Sequence, residues 1–137
     1  PFHLAEFPEY PKTGFGWPIA PGFLGDSLRD YASRYGAALP PLYITEGGAS
    51  FEDVVAADGS VDDASRIRYL AEHLAVAFDG AEGLDVRGYY VWTLMDNWEW
   101  ATGFRERFGL IRVDFETLER TPKRSYDWLQ RVLASRS

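Results

Sequence analysis

The chain has 137 residues, 46% hydrophobic and 16% aromatic, which is ample apolar matter for a folded core and excludes a disordered chain. Fourteen basic against twenty-one acidic side chains leave a net charge of −7 with no basic stripe, so neither nucleic acid nor an anionic membrane surface is expected as a partner. With no cysteine, and with two histidines seventy residues apart (His3 and His73), no disulfide, metal centre or cofactor is expected.

The N-terminal segment to Pro21 is dense in proline, glycine and aromatics, as in Phe7-Pro8-Glu9-Tyr10-Pro11 and Gly14-Phe15-Gly16-Trp17-Pro18. Such prolines prevent regular helix, so a loop pinned down by its aromatics is expected. The opening Pro1-Phe2-His3-Leu4-Ala5-Glu6 does not resemble a signal peptide, no apolar run approaches the roughly twenty residues of a membrane span, and the missing methionine suggests an internal start. Over residues 22–35, Leu24, Leu28, Tyr31 and Tyr35 recur at helical spacing, with Gly36 placed to end the helix in a left-handed conformation.

Pro40-Pro41 then forces an extended entry into Leu42-Tyr43-Ile44-Thr45, whose apolar character suits a buried parallel strand. That strand runs into Glu46-Gly47-Gly48, which places a carboxylate at its C-terminal end, where α/β scaffolds display their chemistry. Taken alone, a Glu-Gly after a strand more often merely begins an exposed loop. The acidic stretch 50–63 reads as a solvated loop with a turn at Asp58-Gly59. A second helix is expected over 62–78, with Ile67, Leu70, Leu74 and Phe78 on one stripe, Gly80 beyond its end, and His73 off the stripe as a surface residue. Gly88-Tyr89-Tyr90-Val91-Trp92-Thr93-Leu94 is aromatic and β-branched, as strands prefer. Thr121-Pro122 reads as N-cap and first turn of a last helix carrying Tyr126, Leu129 and Leu133 inward.

This order implies parallel strands joined by helical crossovers, yet two strands are too few. A (β/α)₈ barrel usually runs to about 250 residues. Left alone, two strands present unpaired edges and uncovered apolar faces, so the 137 residues read as part of a larger domain.

The loop after the second strand, Trp92-Thr93-Leu94-Met95-Asp96-Asn97-Trp98-Glu99-Trp100 and onward through Phe104, Arg105, Arg107 and Phe108, packs aromatics around acids in a solvent-side connection. Sugars account for this pattern: a pyranose offers an apolar face to indole and a rim of hydroxyls to a carboxylate. The competing reading is a hydrophobic plug of Trp98, Trp100 and Phe104. Glu99 fits a plug poorly, because a buried carboxylate then needs a ligand or a basic neighbour such as Arg105 or Arg107.

Two motifs, Tyr43-Ile44-Thr45-Glu46-Gly47-Gly48 and Val91-Trp92-Thr93-Leu94-Met95-Asp96-Asn97-Trp98-Glu99-Trp100, followed by Gly103-Phe104 and Arg107-Phe108-Gly109-Leu110, resemble the C-terminal part of glycoside hydrolase family 1, the β-glucosidase family. Gly16-Trp17, Pro21 and Arg120-Thr121-Pro122-Lys123 extend the resemblance over nearly the whole chain. It implies the C-terminal portion of a TIM (β/α)₈ barrel, about strands seven and eight with helices six to eight, all of residues 1–137 falling in one barrel domain whose remaining strands lie outside this chain. It further implies a retaining β-glucosidase or β-glycosidase acting on terminal β-linked hexosides, with Glu46 as nucleophile. Trp92 matches the floor under the sugar, Glu99 the acceptor for the 4- and 6-hydroxyls, Trp100 the donor to the 3-hydroxyl, and Phe108 an aromatic wall near the 6-position. Members that prefer 6-phosphorylated sugars usually lack a carboxylate at Glu99, so a neutral hexoside is implied.

Departures accompany the resemblance. Gly47 stands where the family usually has asparagine, Trp98 replaces a common phenylalanine and Phe104 a common tyrosine. The Asn-Glu-Pro motif that carries the acid/base occurs nowhere in the chain. Competence is therefore expected only with the N-terminal remainder of the barrel as partner. A non-catalytic carbohydrate-binding module derived from the family is the alternative.

Overall fold

A computed structural model describes residues 6–79 and 83–135. The sequence-predicted Gly80 stop, and His3, lie outside the described residues. The core is a parallel pair: β1 (Leu42–Gly47) lies beside β4 (Val86–Val91), with α2 (Ala64–Phe78) as the crossover between them. Helix α1 (Pro21–Tyr35) packs on α2, and α3 (Arg124–Ala134) packs on the other side of α2. Two small antiparallel hairpins complete the fold: β2 (Val54–Val55) with β3 (Val61–Asp62), and β5 (Ile111–Val113) with β6 (Arg120–Pro122).

Pro21 opens α1 where its lacking N–H costs nothing, and Gly36 follows with a φ of +49° as its place at the helix end requires. Only part of the expected stripe is covered. Leu28 is buried, whereas Tyr31 and Tyr35 are exposed and lean on each other at 6.4 Å. In α2, Leu70 is fully buried, and Ile67, Leu74 and Phe78 are half-buried beside it. His73 is not the surface residue expected from its place off the stripe. It is half-buried, stacked on Tyr69 at 3.9 Å, with Nδ1 2.7 Å from the Tyr69 carbonyl, and burial lowers its pKa.

Three expectations are corrected. The 50–63 stretch is not simply a solvated loop: it folds into the β2–β3 hairpin, turned at Gly59 with Ser60 N–H donating to Asp58 Oδ1 at 3.0 Å. Its Asp53 and Asp63 side chains are buried against Arg66. The second strand begins earlier and ends earlier than the 88–94 run, because its apolar continuation at Trp92 belongs to the following loop. Thr121-Pro122 is strand rather than helix start. Pro122 pairs with Ile111, and the extended Lys123 donates its N–H to the Leu110 carbonyl at 2.9 Å, so α3 begins only at Arg124.

The cap of α3 then comes from far away. Asp63 accepts the Ser125 N–H at 2.8 Å and the Ser125 hydroxyl at 2.5 Å, which satisfies one of the helix's free donors with a charge favourable at an N-terminus. Among the described residues β1 and β4 each have one partner, and Tyr43, Tyr90 and Leu94 stand exposed. Leu133, expected to face inward, is also exposed, on the rim of an open apolar cavity of about 610 Å³ between α2, β4 and α3.

Asp63→Ala is expected to cost about 3–5 kcal/mol in urea unfolding, because it removes the α3 cap and one buried partner of Arg66; a loss below about 1 kcal/mol would contradict that double role.

Candidate active site

Glu46 lies one residue from the C-terminal end of β1 and is exposed, with no hydrogen bond or ion pair to its carboxylate among the described residues. The pairing slips at this point. Ile44 faces Tyr89 and Gly47 faces Val91, so three steps of β1 match two of β4. A bulge of this kind re-aims side chains, and its effect shows in the burial pattern: Thr45 and Glu46 are both exposed, where strict alternation would put them on opposite faces.

The strand ends close on one another through backbone alone. Trp92 N–H donates to the Gly47 carbonyl at 3.1 Å. A Cβ on Gly48 would lie only 1.7 Å from the Trp92 carbonyl oxygen, so no other residue fits without moving β4's end away. The result is that Glu46 and Trp92, remote in sequence, stand on adjoining strand ends. The Trp92–Thr93 peptide is cis.

Trp92 in turn reaches Glu99. Its indole N–H donates to Glu99 Oε1 at 3.3 Å, so within the described residues Glu99 is met by this tryptophan and not by Arg105 or Arg107, the basic neighbours that a plug would require. Those arginines are engaged elsewhere, with Glu106 at 3.1 Å and Asp96 at 3.1 Å. Glu99 is fixed by its backbone as well: it exchanges hydrogen bonds with Gly103 at 2.9 and 2.7 Å, forming a tight projection. Trp100 sits at the tip, 94% exposed. A plug is thus ruled out for Trp100. Trp98 and Phe104 do meet edge to face at 5.1 Å, and Phe104 continues onto Phe115 at 4.3 Å, yet both keep about half their surface open.

Phe108 is placed differently from the other site candidates. It is 4% exposed, with its ring against Phe15 at 6.1 Å and Trp17 at 6.5 Å, while Trp17 remains open. The structure therefore brings Glu46, Trp92 and Glu99 together at the strand ends, displays Trp100 beside them, and holds Phe108 beneath an aromatic layer.

Asp96 organises the long loop. Its Oδ1 accepts from Gly109 N–H at 2.8 Å and Lys123 Nζ at 3.0 Å, and its Oδ2 from Arg107 at 3.1 Å and Val113 N–H at 3.3 Å. Lys123 also contacts Asp53, which pairs with Arg66 at 3.1 Å; Arg66 continues to Asp63 at 2.5 Å and to the Arg107 carbonyl at 2.5 Å. Burial lowers the Lys123 pKa, as does Arg66, against the opposing pull of Asp53 and Asp96. Apart from Asp63 and Arg66, one turn apart at the start of α2, these buried partners escape sequence reasoning because the pairs are distant along the chain. The one local signal was an ionic residue immediately before each of α2 and α3.

The profile of "Glycosyl hydrolase family 1" matches residues 3–137. "Beta-glucosidase A" of Thermotoga maritima is 43% identical over 91% of this chain. A "6-phospho-beta-galactosidase" of Streptococcus equi subsp. zooepidemicus is 39% identical over 94% of it. The solved family 1 β-glucosidase from Thermotoga maritima superposes with a TM-score of 0.88 at 42% identity, over 95% of this chain and 29% of its own. The chain spans about 28% of the length of the curated relatives it matches.

Lys123→Met is expected to leave Asp53 and Asp96 without their shared cation. Exchange at the Gly109 amide should accelerate about tenfold or more while α1 amides stay unchanged, as read by hydrogen-exchange mass spectrometry; an unchanged Gly109 would disprove the linkage.

Proposed function

The chain belongs to glycosyl hydrolase family 1, and from that premise we propose that it is the C-terminal part of a retaining β-glucosidase or closely related β-glycosidase. In this reading β1 and β4 are the seventh and eighth barrel strands, and α1, α2 and α3 are the sixth to eighth helices. Their open edges, with Tyr43, Tyr90 and Leu94 exposed, and the cavity between α2, β4 and α3 are surfaces that the remaining barrel covers. The observation that carries the reading is that Glu46 and the Trp92–Glu99 pair stand at two adjoining strand ends, where a barrel of this type builds its site.

The chemistry follows from that placement. Glu46, free of any protein partner among the described residues, attacks the anomeric carbon and forms a glycosyl-enzyme, which water then hydrolyses. A second carboxyl roughly 5 to 5.5 Å away must donate a proton to the leaving oxygen and later activate water, and a missing strand supplies it. The chain alone is therefore inactive. Trp92 forms the floor under the sugar ring, and its indole bond steadies Glu99 to accept from the 4- and 6-hydroxyls. Trp100, open on nearly all sides, donates its indole N–H to the 3-hydroxyl. Phe108 supports the aromatic wall from behind Trp17.

Charge selects among hexoses. Glu99 sits where the 6-position is gripped, and a phosphate there would meet a carboxylate, so the substrate is a neutral β-hexoside rather than a 6-phosphorylated one.

Incubating the protein, assembled with its N-terminal barrel strands, with a slow-reacting 2-fluoro β-glycoside should label Glu46, as located by peptide mass spectrometry; a label on any other residue sinks the assignment. In the same assembly Glu46→Ala should abolish hydrolysis, and Glu99→Ala should lower kcat/KM on a neutral glucoside by about 10- to 100-fold. Wild-type protein should prefer that glucoside over its 6-phosphate by about a hundredfold or more, and equal rates would remove Glu99 from the selective role.

A further inference from the structure

At Gly109 backbone meets backbone. A Cβ built on it would stand 2.3 Å from the Asp96 amide nitrogen, 2.5 Å from the Ile111 carbonyl oxygen and 2.6 Å from the Met95 carbonyl carbon, and none of these atoms can swing aside as a side chain does. Around that contact the two legs of the long loop run together. Thr93 N–H donates to the Phe108 carbonyl at 3.4 Å, Leu110 N–H to the Thr93 carbonyl at 2.9 Å, Ile111 N–H to the Leu94 carbonyl at 2.9 Å, and Asp96 N–H to the Ile111 carbonyl at 3.0 Å. The Asp96 carboxylate closes the junction. Its side chain is fully buried, and it accepts from the Gly109 and Val113 amides, from Arg107 and from Lys123, which fills the roughly four acceptor sites a carboxylate has.

We propose that Asp96 is a positioning residue for the sugar-gripping end of this loop: with Gly109 it clamps the two legs together and so fixes where Glu99 stands. The inference rests on the reading of Glu99 and Trp92 as the grip on the sugar. Residues 97–107 form the tip of the loop, which leaves from Asp96 and returns through Arg107 and Phe108. The tip is closed on itself where Glu99 and Gly103 exchange backbone bonds, and it is tied back to the strand end where the Trp92 indole meets Glu99 Oε1. That second tie is 3.3 Å long and open to water, too weak to place the tip by itself. Charge-assisted bonds to a buried carboxylate are the stronger constraint, and two of the four reach backbone amides directly.

The clamp acts on the grip and not on the nucleophile. Glu46 stands on β1, which meets this loop at the Trp92 backbone, on the strand side of the clamp, whereas Glu99 lies three residues beyond Asp96 on the tip. Loosening the clamp therefore weakens recognition of the 4- and 6-hydroxyls that Glu99 accepts from, and a substrate lacking one of them has less to lose.

The test uses the protein assembled with its N-terminal barrel strands, counted by gel filtration, and compares kcat/KM on an aryl β-glucoside with the values on its 4-deoxy and 6-deoxy analogues. Wild type should lose about 10- to 100-fold when either hydroxyl is removed. Asp96→Asn should lower kcat/KM on the parent glucoside at least about tenfold and on the deoxy analogues far less, so the penalty for a missing hydroxyl shrinks at least about fivefold. Arg107→Met, which removes one donor and leaves the backbone amides in place, should shrink it about twofold and carries the test if Asp96→Asn does not assemble. Added to Glu99→Ala, Asp96→Asn should shrink the penalty no further. A residue that only stabilises the fold lowers all three substrates alike. An unchanged penalty in these variants, or further shrinkage beyond that of Glu99→Ala, overturns the proposal. In this chain alone Asp96→Asn should also speed hydrogen exchange at the Leu110 and Ile111 amides at least about tenfold while α1 amides stay unchanged. If Glu99→Ala itself leaves the penalty intact, the grip reading falls while those amides still decide the clamp.

Discussion

Everything at the strand-end loops of this chain hangs on a buried ionic cluster. Three carboxylates, Asp53, Asp63 and Asp96, interleave with the cations Arg66, Arg107 and Lys123, and all but Arg107 have side chains 2% exposed or less. Its six members come from four places: the segment after β1, the start of α2, the loop after β4, and the start of α3. Opposed charges at this density are a weak source of net stability, since desolvation consumes most of the attraction. Their value here is geometric. A charge taken out of water accepts no position other than the one in which its partners satisfy it, so the cluster fixes how the two loops that carry the site leave their strands.

Backbone closeness completes what the charges begin. Gly48 lets the Trp92 carbonyl approach to where a side chain would stand. That contact sets the spacing of the strand ends. It involves no polar side chain of the site and acts before any ligand is present. A carboxylate at such a strand end is held in place by the backbone beneath it.

The fold and the site were unequally legible in the sequence. The strand at Leu42-Tyr43-Ile44-Thr45, the three helices and the Asp58-Gly59 turn follow from local periodicity and turn chemistry, which act over a few residues. That Trp92 and Glu99 belong to one site was implied by motif resemblance, which no periodicity shows; the hydrogen bond between them was not foreseen. What was missed is nonlocal. Thr121-Pro122 has every local mark of a helix start, yet pairing with β5 and the pull of Lys123 into the cluster outweigh those marks, and the cap passes to Asp63, 62 residues away. The same holds for Asp53 and Asp63, which look solvated because their cationic partners lie 13 to 70 residues distant or on the next turn of α2.

The uneven burial of the candidate residues has one physical cause. Glu99 and Trp92 satisfy each other, and Phe108 is covered by Phe15 and Trp17, because their partners are in this chain. Glu46, Trp100, Tyr43 and Tyr90 are exposed, and among the described residues β1 and β4 each keep a free edge. A sheet edge and a row of aromatics left open together are poorly suited to water, and a barrel closing on both edges would bury the tyrosines and enclose Glu46 in one step. Closure would also change the electrostatics of that carboxylate. In the proposed reading Glu46, open to water in this chain, becomes an effective nucleophile only in an enclosed site where protein groups replace its solvation shell. On that reading the cluster beneath the loops serves a division of labour: this chain would prepare the position of the nucleophile and the grip on the sugar, and the strands that close the barrel would supply the acid and the dry surroundings in which both can act.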